Sequence, residues 1–299
     1  MGDEPKKITI KEAVVNLEKC RNSTVVSYIA AENSLIGPED SPALVDTIEN
    51  VLPDTGKINK LDLFLHSPGG FIESAYKIVC ICKEYSVQFN VIVPFAAKSA
   101  ATVICLGANE LVMTSLAELG PIDPIIQHPF KPEIRVPARA IKDFFAFLET
   151  TETSDKIRLD PTFKNQMASL LDPYLIGSYQ SALQSSKQIA EILLTQGPLS
   201  GRPEKVKEAV HKLTEYYYSH RFVIDRNMAR ELGLNVLSPE TNKPLTIAIR
   251  QLFNIYQMFM RDNNIMKVIG NRDVNRNFQP PRPIQIPPSP PPSSANLNF

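Results

Sequence analysis

Between Thr24 and Met113 short apolar runs alternate with stretches whose apolar residues recur at helical spacing. Thr24-Val25-Val26-Ser27-Tyr28-Ile29-Ala30 is rich in β-branched residues and reads as a strand. Ser41 to Leu52 reads as a helix, with Ser41 as its N-cap and Pro42 at the first helical position. Leu61 to His66 is the next strand, Ser67-Pro68-Gly69-Gly70 a turn, and Phe71 to Tyr85 a helix carrying Ile72, Ala75, Ile78, Val79 and Cys82 on one face. Val87 to Val93 reads as a strand, Ser99 to Leu106 as an apolar helix closed by Gly107, and Glu110 to Met113 as a short strand. This alternation predicts an α/β core with mostly parallel strands.

From Arg139 to Arg261 the pattern is mainly helical, and Pro161, Pro173, Pro198 and Pro203 divide it. Asp225 is placed to cap a helix from Arg226 to Leu232 that Gly233 stops. Ile249, Leu252, Tyr256 and Phe259 fall at helical spacing, a face that covers either the chain's own core or another subunit. Beyond it the run PPRPIQIPPSPPP, Pro280 to Pro292, removes backbone donors and is read as a disordered or polyproline-II tail, with a docking peptide as the alternative. The organisation expected is an N-terminal helical extension (1–23), one main domain (24–270) and a Pro-rich tail (271–299).

Composition narrows the functions. Thirty-two basic residues balance 32 acidic ones, so no overall charge favours nucleic acid or an anionic membrane. No apolar stretch approaches the roughly 20 residues that span a bilayer, and the start of the chain leads into no secretory core, which makes the cytoplasm the expected location. Cys20, Cys80, Cys82 and Cys105 lack metal-ligand spacing and read as free thiols. No metal or other cofactor is expected, and no GxxxxGK loop is present to hydrolyse ATP.

Two segments carry chemistry. Ser67-Pro68-Gly69-Gly70 lies between a strand and a helix, where glycines let backbone amides approach a ligand closely, as an oxyanion hole requires. Ala96-Ala97-Lys98-Ser99-Ala100-Ala101-Thr102 follows the next strand and opens a helix of small residues. Locally Ser99 has two readings, a helix cap or a nucleophile exposed at the carboxyl end of a sheet.

The stretches LDLFLHSPGGFIESAY and AAKSAATVICLGANELVM, followed by Glu118-Leu119-Gly120-Pro121-Ile122-Asp123-Pro124, together resemble one family in order and spacing: the serine dehydrogenase proteinases, related to signal peptide peptidase A and the Clp protease subunit. Ser219-His220-Arg221 and Arg230-Glu231-Leu232-Gly233-Leu234 resemble that family's later signature, so the similarity runs from about Val26 to Val236. The resemblance implies an α/β fold of the Clp/crotonase type, a spiral of ββα units, here with a largely helical C-terminal half. It implies Ser99 as nucleophile, amides of Gly69 or Gly70 with Ala100 as oxyanion donors, and peptide hydrolysis through an acyl-enzyme. It also implies a peptide or unfolded protein as substrate, and self-association into a homo-oligomer.

The general base stays open. Clp protease uses a histidine after the nucleophile, and Gly120-Pro121-Ile122-Asp123-Pro124 has none. Signal-peptidase-like relatives use a lysine, which makes Lys142 the first candidate, provided burial strips its charge. His220 and His128 are further candidates. Lys98 adjoins Ser99, but chain neighbours point apart, so supporting the loop or contacting substrate suits it better. His66 reads as structural, His211 as a surface residue, and Asp123 as a turn-fixing carboxylate. The competing functions are an acyl-thioester enzyme using Glu73, Glu118 or Asp123, and an inactive scaffold.

Overall fold

The computed structural model describes residues 8–128, 131–149, 160–169 and 172–280. In chain order the helices are α1 (Ile10–Arg21), α2 (Asp40–Glu49), α3 (Ile72–Tyr85), α4 (Ala100–Leu106), α5 (Ala138–Glu149), α6 (Pro161–Ser169), α7 (Pro173–Gln196), α8 (Pro203–His211), α9 (Arg226–Glu231) and α10 (Lys243–Asp262). The strands are β1 (Thr24–Ala30), β2 (Ile58–His66), β3 (Ser86–Val93), β4 (Ala96–Ala97), β5 (Glu110–Met113), β6 (Glu118–Leu119), β7 (Ile125–His128), β8 (Lys131–Pro137), β9 (Val236–Leu237), β10 (Lys267–Gly270) and β11 (Asn275–Phe278).

The main sheet has the order β11-β10-β1-β2-β3-β5-β9. β1, β2, β3, β5 and β9 are parallel, and β10 and β11 add an antiparallel edge. The α/β class and the helical C-terminal half follow the sequence pattern. Side chains alternate between two cores, as a pleated strand requires. Leu61, Leu63 and Leu65 of β2, with Phe89, Val91 and Val93 of β3, face the core built with α2, α3, α4 and α7. Phe64, Ile92 and Val112 face the opposite core, closed by α1 and α10.

Some boundaries and placements differ from those the pattern predicts. The helix read from Ser41 starts at Asp40, and the Asp40 carboxylate accepts from Gly37 N–H (2.8 Å) and Tyr28 O–H (2.7 Å) while pairing with Lys267 Nζ (2.5 Å). That tertiary network, not a Ser41 cap, sets the start. The tail does not begin at 271, because Asn275–Phe278 pairs with Lys267–Gly270 in the sheet. Of the Pro-rich run only Pro280 is described; 281–299 lie outside the described residues. The N-terminal helix is not peripheral either: Ala13, Val14 and Leu17 are fully buried beneath α10.

The α10 face resolves the other way. Ile249, Leu252 and Tyr256 are buried in the chain's own core, with Phe259 partly buried against it, so this face leaves no surface for a second subunit. Pro161, Pro173 and Pro203 each open a helix, and Asp225 caps α9 by accepting from Asn227 N–H and Met228 N–H. Among the described residues no helix is long and apolar enough to cross a membrane.

Candidate active site

The site lies where β2 and β3 end. Past His66 the chain runs beside the segment leading to α4: Ser67 N–H donates to Ala96 O (3.0 Å) and Lys98 N–H donates to Ser67 O (3.0 Å). Gly69 and Gly70 then adopt φ of 110° and 155°. A Cβ on Gly69 would stand 2.7 Å from Ser99 Cβ, and one on Gly70 would stand 2.3 Å from Ile36 N and O. Only glycine lets this turn lie against the Ser99 loop on one side and the Ile36 backbone on the other.

The two glycine amides differ in what they do. Gly69 N–H is spent inside the turn, donating to Ser67 Oγ at 3.1 Å. Among the described residues no hydrogen bond engages the N–H of Gly70 or of Ala100. Of the three amides expected from the sequence as oxyanion donors, Gly70 and Ala100 are therefore uncommitted and Gly69 is not.

Ser99 occupies the N-cap position of α4, yet its side chain makes no capping bond. Its backbone stands at φ 51°, ψ −122°. The other positive-φ residues apart from glycine are Asn22 and Asn264, a residue type that tolerates the left-handed region. A serine there costs about 1–3 kcal/mol. A strained strand-to-helix turn is how a nucleophilic hydroxyl is lifted clear of its own backbone, so the capping reading of Ser99 does not hold. One helical turn on, Thr102 Oγ1 contacts Ala97 O (2.8 Å) and Gly120 O (2.9 Å) and accepts from Gly120 N–H (3.0 Å). This threonine fastens the Gly120-Pro121-Ile122-Asp123-Pro124 segment to the start of α4.

That segment meets the chain around residue 220. Leu119 and Ile224 exchange both backbone hydrogen bonds (2.9 and 3.1 Å), and Ile122 N–H donates to Leu213 O (2.8 Å). The pairing brings His220 Nδ1 to 2.8 Å from Asp123 Oδ1. Asp123 is buried and His220 is 19 % exposed at its side chain. A carboxylate can only accept, so Nδ1 is the donor in this contact, and the neutral ring in this arrangement presents its lone pair at Nε2. Asp123 thus serves a histidine and not the turn-fixing role read for it. Sequence reading singled out both residues but did not pair them, because 97 positions separate them and no local pattern spans that distance.

The lysine expected as base is engaged in an ion pair. Lys142 Nζ lies 2.7 Å from Glu215 Oε2, with its side chain 48 % exposed. Glu215 also holds Lys187 Nζ at 2.6 Å. Burial pushes the Glu215 carboxyl up, but the two lysines outweigh it and hold the group down at about 2. Lys142 is thus half-exposed and held by a carboxylate, not buried in the apolar surroundings that a lysine base requires. Lys98 is also paired, 3.0 Å from Glu118 Oε1.

The remaining histidines divide simply. His66 Nδ1–H donates to Ala96 O (3.1 Å), and its ring packs edge-on against Phe95 and Phe253. Burial lowers its pKa, against a raising contribution from that bond, which suits a neutral structural imidazole. His211 is exposed on α8. His128 lies on β7, and its side chain is outside the described residues. Cys82 and Cys105 are fully buried thiols whose pKa burial raises. Among the described residues no three His, Cys, Asp or Glu side chains form a metal-holding group.

An α/β sheet that ends in a strained serine, beside unengaged amides and a carboxylate-bound histidine, has the parts of a serine-hydrolase site. Residues 5–144, a segment that holds the glycine turn, Ser99 and Asp123, match the ClpP-like SDH-type serine proteinases. His220 lies beyond the matched residues. A Methanocaldococcus jannaschii protein, uncharacterized protein MJ0137, is 28% identical over 238 residues, 76% of this chain and 72% of the relative. Among solved structures, a mutant of the 1510-N membrane-bound stomatin-specific protease aligns with TM-score 0.40 and 15% identity, over 69% of this chain and 80% of its own. ClpP1 from Listeria monocytogenes aligns with TM-score 0.42 and 13% identity, over 74% and 95%.

Proposed function

We propose that the protein is a serine peptidase in which Ser99, His220 and Asp123 act as nucleophile, base and orienting carboxylate. The observation that carries this reading is the 2.8 Å contact between His220 Nδ1 and the buried Asp123 carboxylate, on segments bonded to the Ser99 loop. His220 Nε2 takes the Ser99 proton as Oγ attacks the scissile carbonyl, and returns it to the leaving amine. Asp123 holds the ring in the Nδ1–H tautomer and stabilises the imidazolium that forms. Gly70 N–H and Ala100 N–H receive the oxyanion. Water then enters, His220 deprotonates it, and the acyl-enzyme is hydrolysed.

This reading replaces the serine–lysine dyad expected from the sequence, because Lys142 is half-exposed and paired. The acids that an enolate-forming thioester enzyme would use are all engaged: Glu73 accepts from Ser185 Oγ (2.9 Å), Glu118 pairs with Lys98, and Asp123 with His220. Peptides or unfolded chains as substrates, and self-association of the subunits, belong to the same proposal.

A fluorophosphonate probe tests it. Labelling is expected on Ser99 in the wild-type chain, none in Ser99→Ala, and a rate lowered by about 10³-fold or more in His220→Ala. Wild-type labelling in His220→Ala would show that another group activates the serine. A folded protein that never labels and cleaves no casein-like unfolded substrate would end the peptidase reading.

A further inference from the structure

We propose that Lys98 is a positioning residue, whose ammonium holds the Asp123 and His220 segments against the nucleophile loop. The inference rests on the reading of Ser99, His220 and Asp123 as a triad and goes beyond it, because it names what keeps three distant parts of the chain in register.

The main chain of Lys98 is already fixed on two sides. Its N–H donates to Ser67 O, and its carbonyl accepts from Ala101 N–H at 2.8 Å. The backbone that carries Ser99 is thereby tied to the glycine turn and to α4. Its side chain then crosses the next segment. The stem passes over Gly120, where a Cβ would come within 2.9 Å of Lys98 Cδ, so glycine leaves the channel open. The ammonium ends among three oxygens: Glu118 Oε1 at 3.0 Å, Leu119 O at 3.1 Å and Phe222 O at 3.4 Å. Leu119 lies four residues before Asp123 and Phe222 two after His220. One side chain thus bonds both segments that bear the histidine–carboxylate pair and is itself the residue before the nucleophile.

The chemistry of the group matters. An ammonium has three donors and no acceptor, and three oxygens converge on it here. Two are backbone carbonyls from separate segments; Leu119 O also accepts from Ile224 N–H, so the ammonium adds a second tie between segments that are already paired. The same saturation argues against Lys98 as the base, since a lysine that shares its protons with three oxygens and pairs with a carboxylate has no lone pair to offer. A methionine keeps the length of the stem but brings no donor. The segments then stay joined through Leu119–Ile224, and residues 118–120 stay on the nucleophile loop through the β4–β6 pairing and Thr102, but the direct tie from Lys98 to Phe222, beside His220, is lost; a misplacement of about 1 Å at a reacting group lowers rates by about 100-fold.

The test compares fluorophosphonate inactivation of Lys98→Met, Glu118→Gln, His220→Ala and the double variant His220→Ala/Lys98→Met, with thermal melts as folding controls. Lys98→Met is expected to lower the maximal inactivation rate by about 10- to 100-fold and to change the probe's half-saturation by less than about twofold, because a positioning residue acts on the chemical step. In the His220→Ala background the same substitution should change residual labelling by less than about twofold, since the group it positions is gone. An equal loss in both backgrounds would mark Lys98 as a general packing residue and overturn the proposal, as would a wild-type rate in Lys98→Met. If Lys98→Met does not fold, Glu118→Gln decides: a rate reduced about 3- to 10-fold supports the proposal, and an unchanged rate overturns it. Wild-type labelling in His220→Ala would remove the triad reading itself, an outcome distinct from a silent Lys98.

Discussion

Two polar regions of this molecule are built on opposite principles. Under α1, at the end of the sheet where β2, β3 and β5 begin, Asp62 stands opposite Asn90 and Asn90 opposite Glu110. Arg21 binds Asp62 through Nε and Nη2 (2.7 and 3.2 Å) and Glu110 through Nη2 (2.6 Å), Ser23 Oγ donates to Asp62 (2.8 Å), and Asn90 Nδ2 donates to Asp62 Oδ1 (2.8 Å). Asp62 is fully buried, and both its oxygens are satisfied. At the opposite end of the same strands, Gly70 N–H and Ala100 N–H carry no bond among the described residues, and Ser99 sits at a positive φ. The first region is closed because a buried unpaired charge costs several kcal/mol. On the proposed peptidase reading the second is open because donors awaiting a transition-state charge must not be spent beforehand. The contrast separates groups that hold the fold from groups held ready for chemistry.

The sharpest way to break that comparison is at Ser99. Ser99→Gly should abolish labelling, a loss of about 10⁴-fold or more in turnover, while raising thermal stability, because glycine relieves about 1–3 kcal/mol of backbone strain. A melting temperature lowered by this substitution would mean the conformation is not strained. Arg21→Met is the reverse case. It leaves Asp62 charged and buried, so a loss of about 3–5 kcal/mol in unfolding free energy is expected, measured by urea titration, with the labelling rate of the folded protein unchanged. Thr102→Val lies between the two. It strips Gly120 N–H of its acceptor and should cost about 1–3 kcal/mol, together with a slower labelling rate, as the Asp123 segment loosens from α4. Loss of stability with labelling intact would show that Thr102 only holds the fold.

Lys142→Ala should change the labelling rate by less than about twofold, and a large loss would restore the lysine as base. The smallest effect is on acid stability. Glu215 is held at about 2, below the ordinary carboxylate range, so it contributes stability that is present above that range and lost as pH falls through about 2. Replacing Lys142 and Lys187 together should flatten the acid limb of the melting temperature against pH, and an unchanged limb would show that the pair contributes nothing there.

Much of this was legible before any coordinates. Thr24–Ala30 and Glu110–Met113 are strands at the boundaries their patterns predict, because each has the β-branched or apolar run of a buried strand. Gly69, Gly70 and Ser99 were readable because a glycine turn and a serine at strand-to-helix junctions are local features. The start of α2, the extension of the sheet through Asn275–Phe278 and the division of labour between Gly69 and Gly70 were not. The first depends on a partner far along the chain, Lys267 for Asp40; the second on the pairing of β11 with Lys267–Gly270, and the third on the rotamer of Ser67, neither of which a local pattern specifies.

The sequence by itself determined the α/β class, the order of the elements and the serine. Those rest on periodicity and turn chemistry, which act over a few residues. Tertiary structure alone decided how the candidate basic groups are paired. Lys142, in a helix at a familiar distance downstream, is drawn by Glu215 into an exposed pair, whereas His220 is brought to Asp123 across 97 residues by the Leu119–Ile224 pairing. A base is defined by the charge and solvent around it, and those are properties of neighbours in space rather than in sequence.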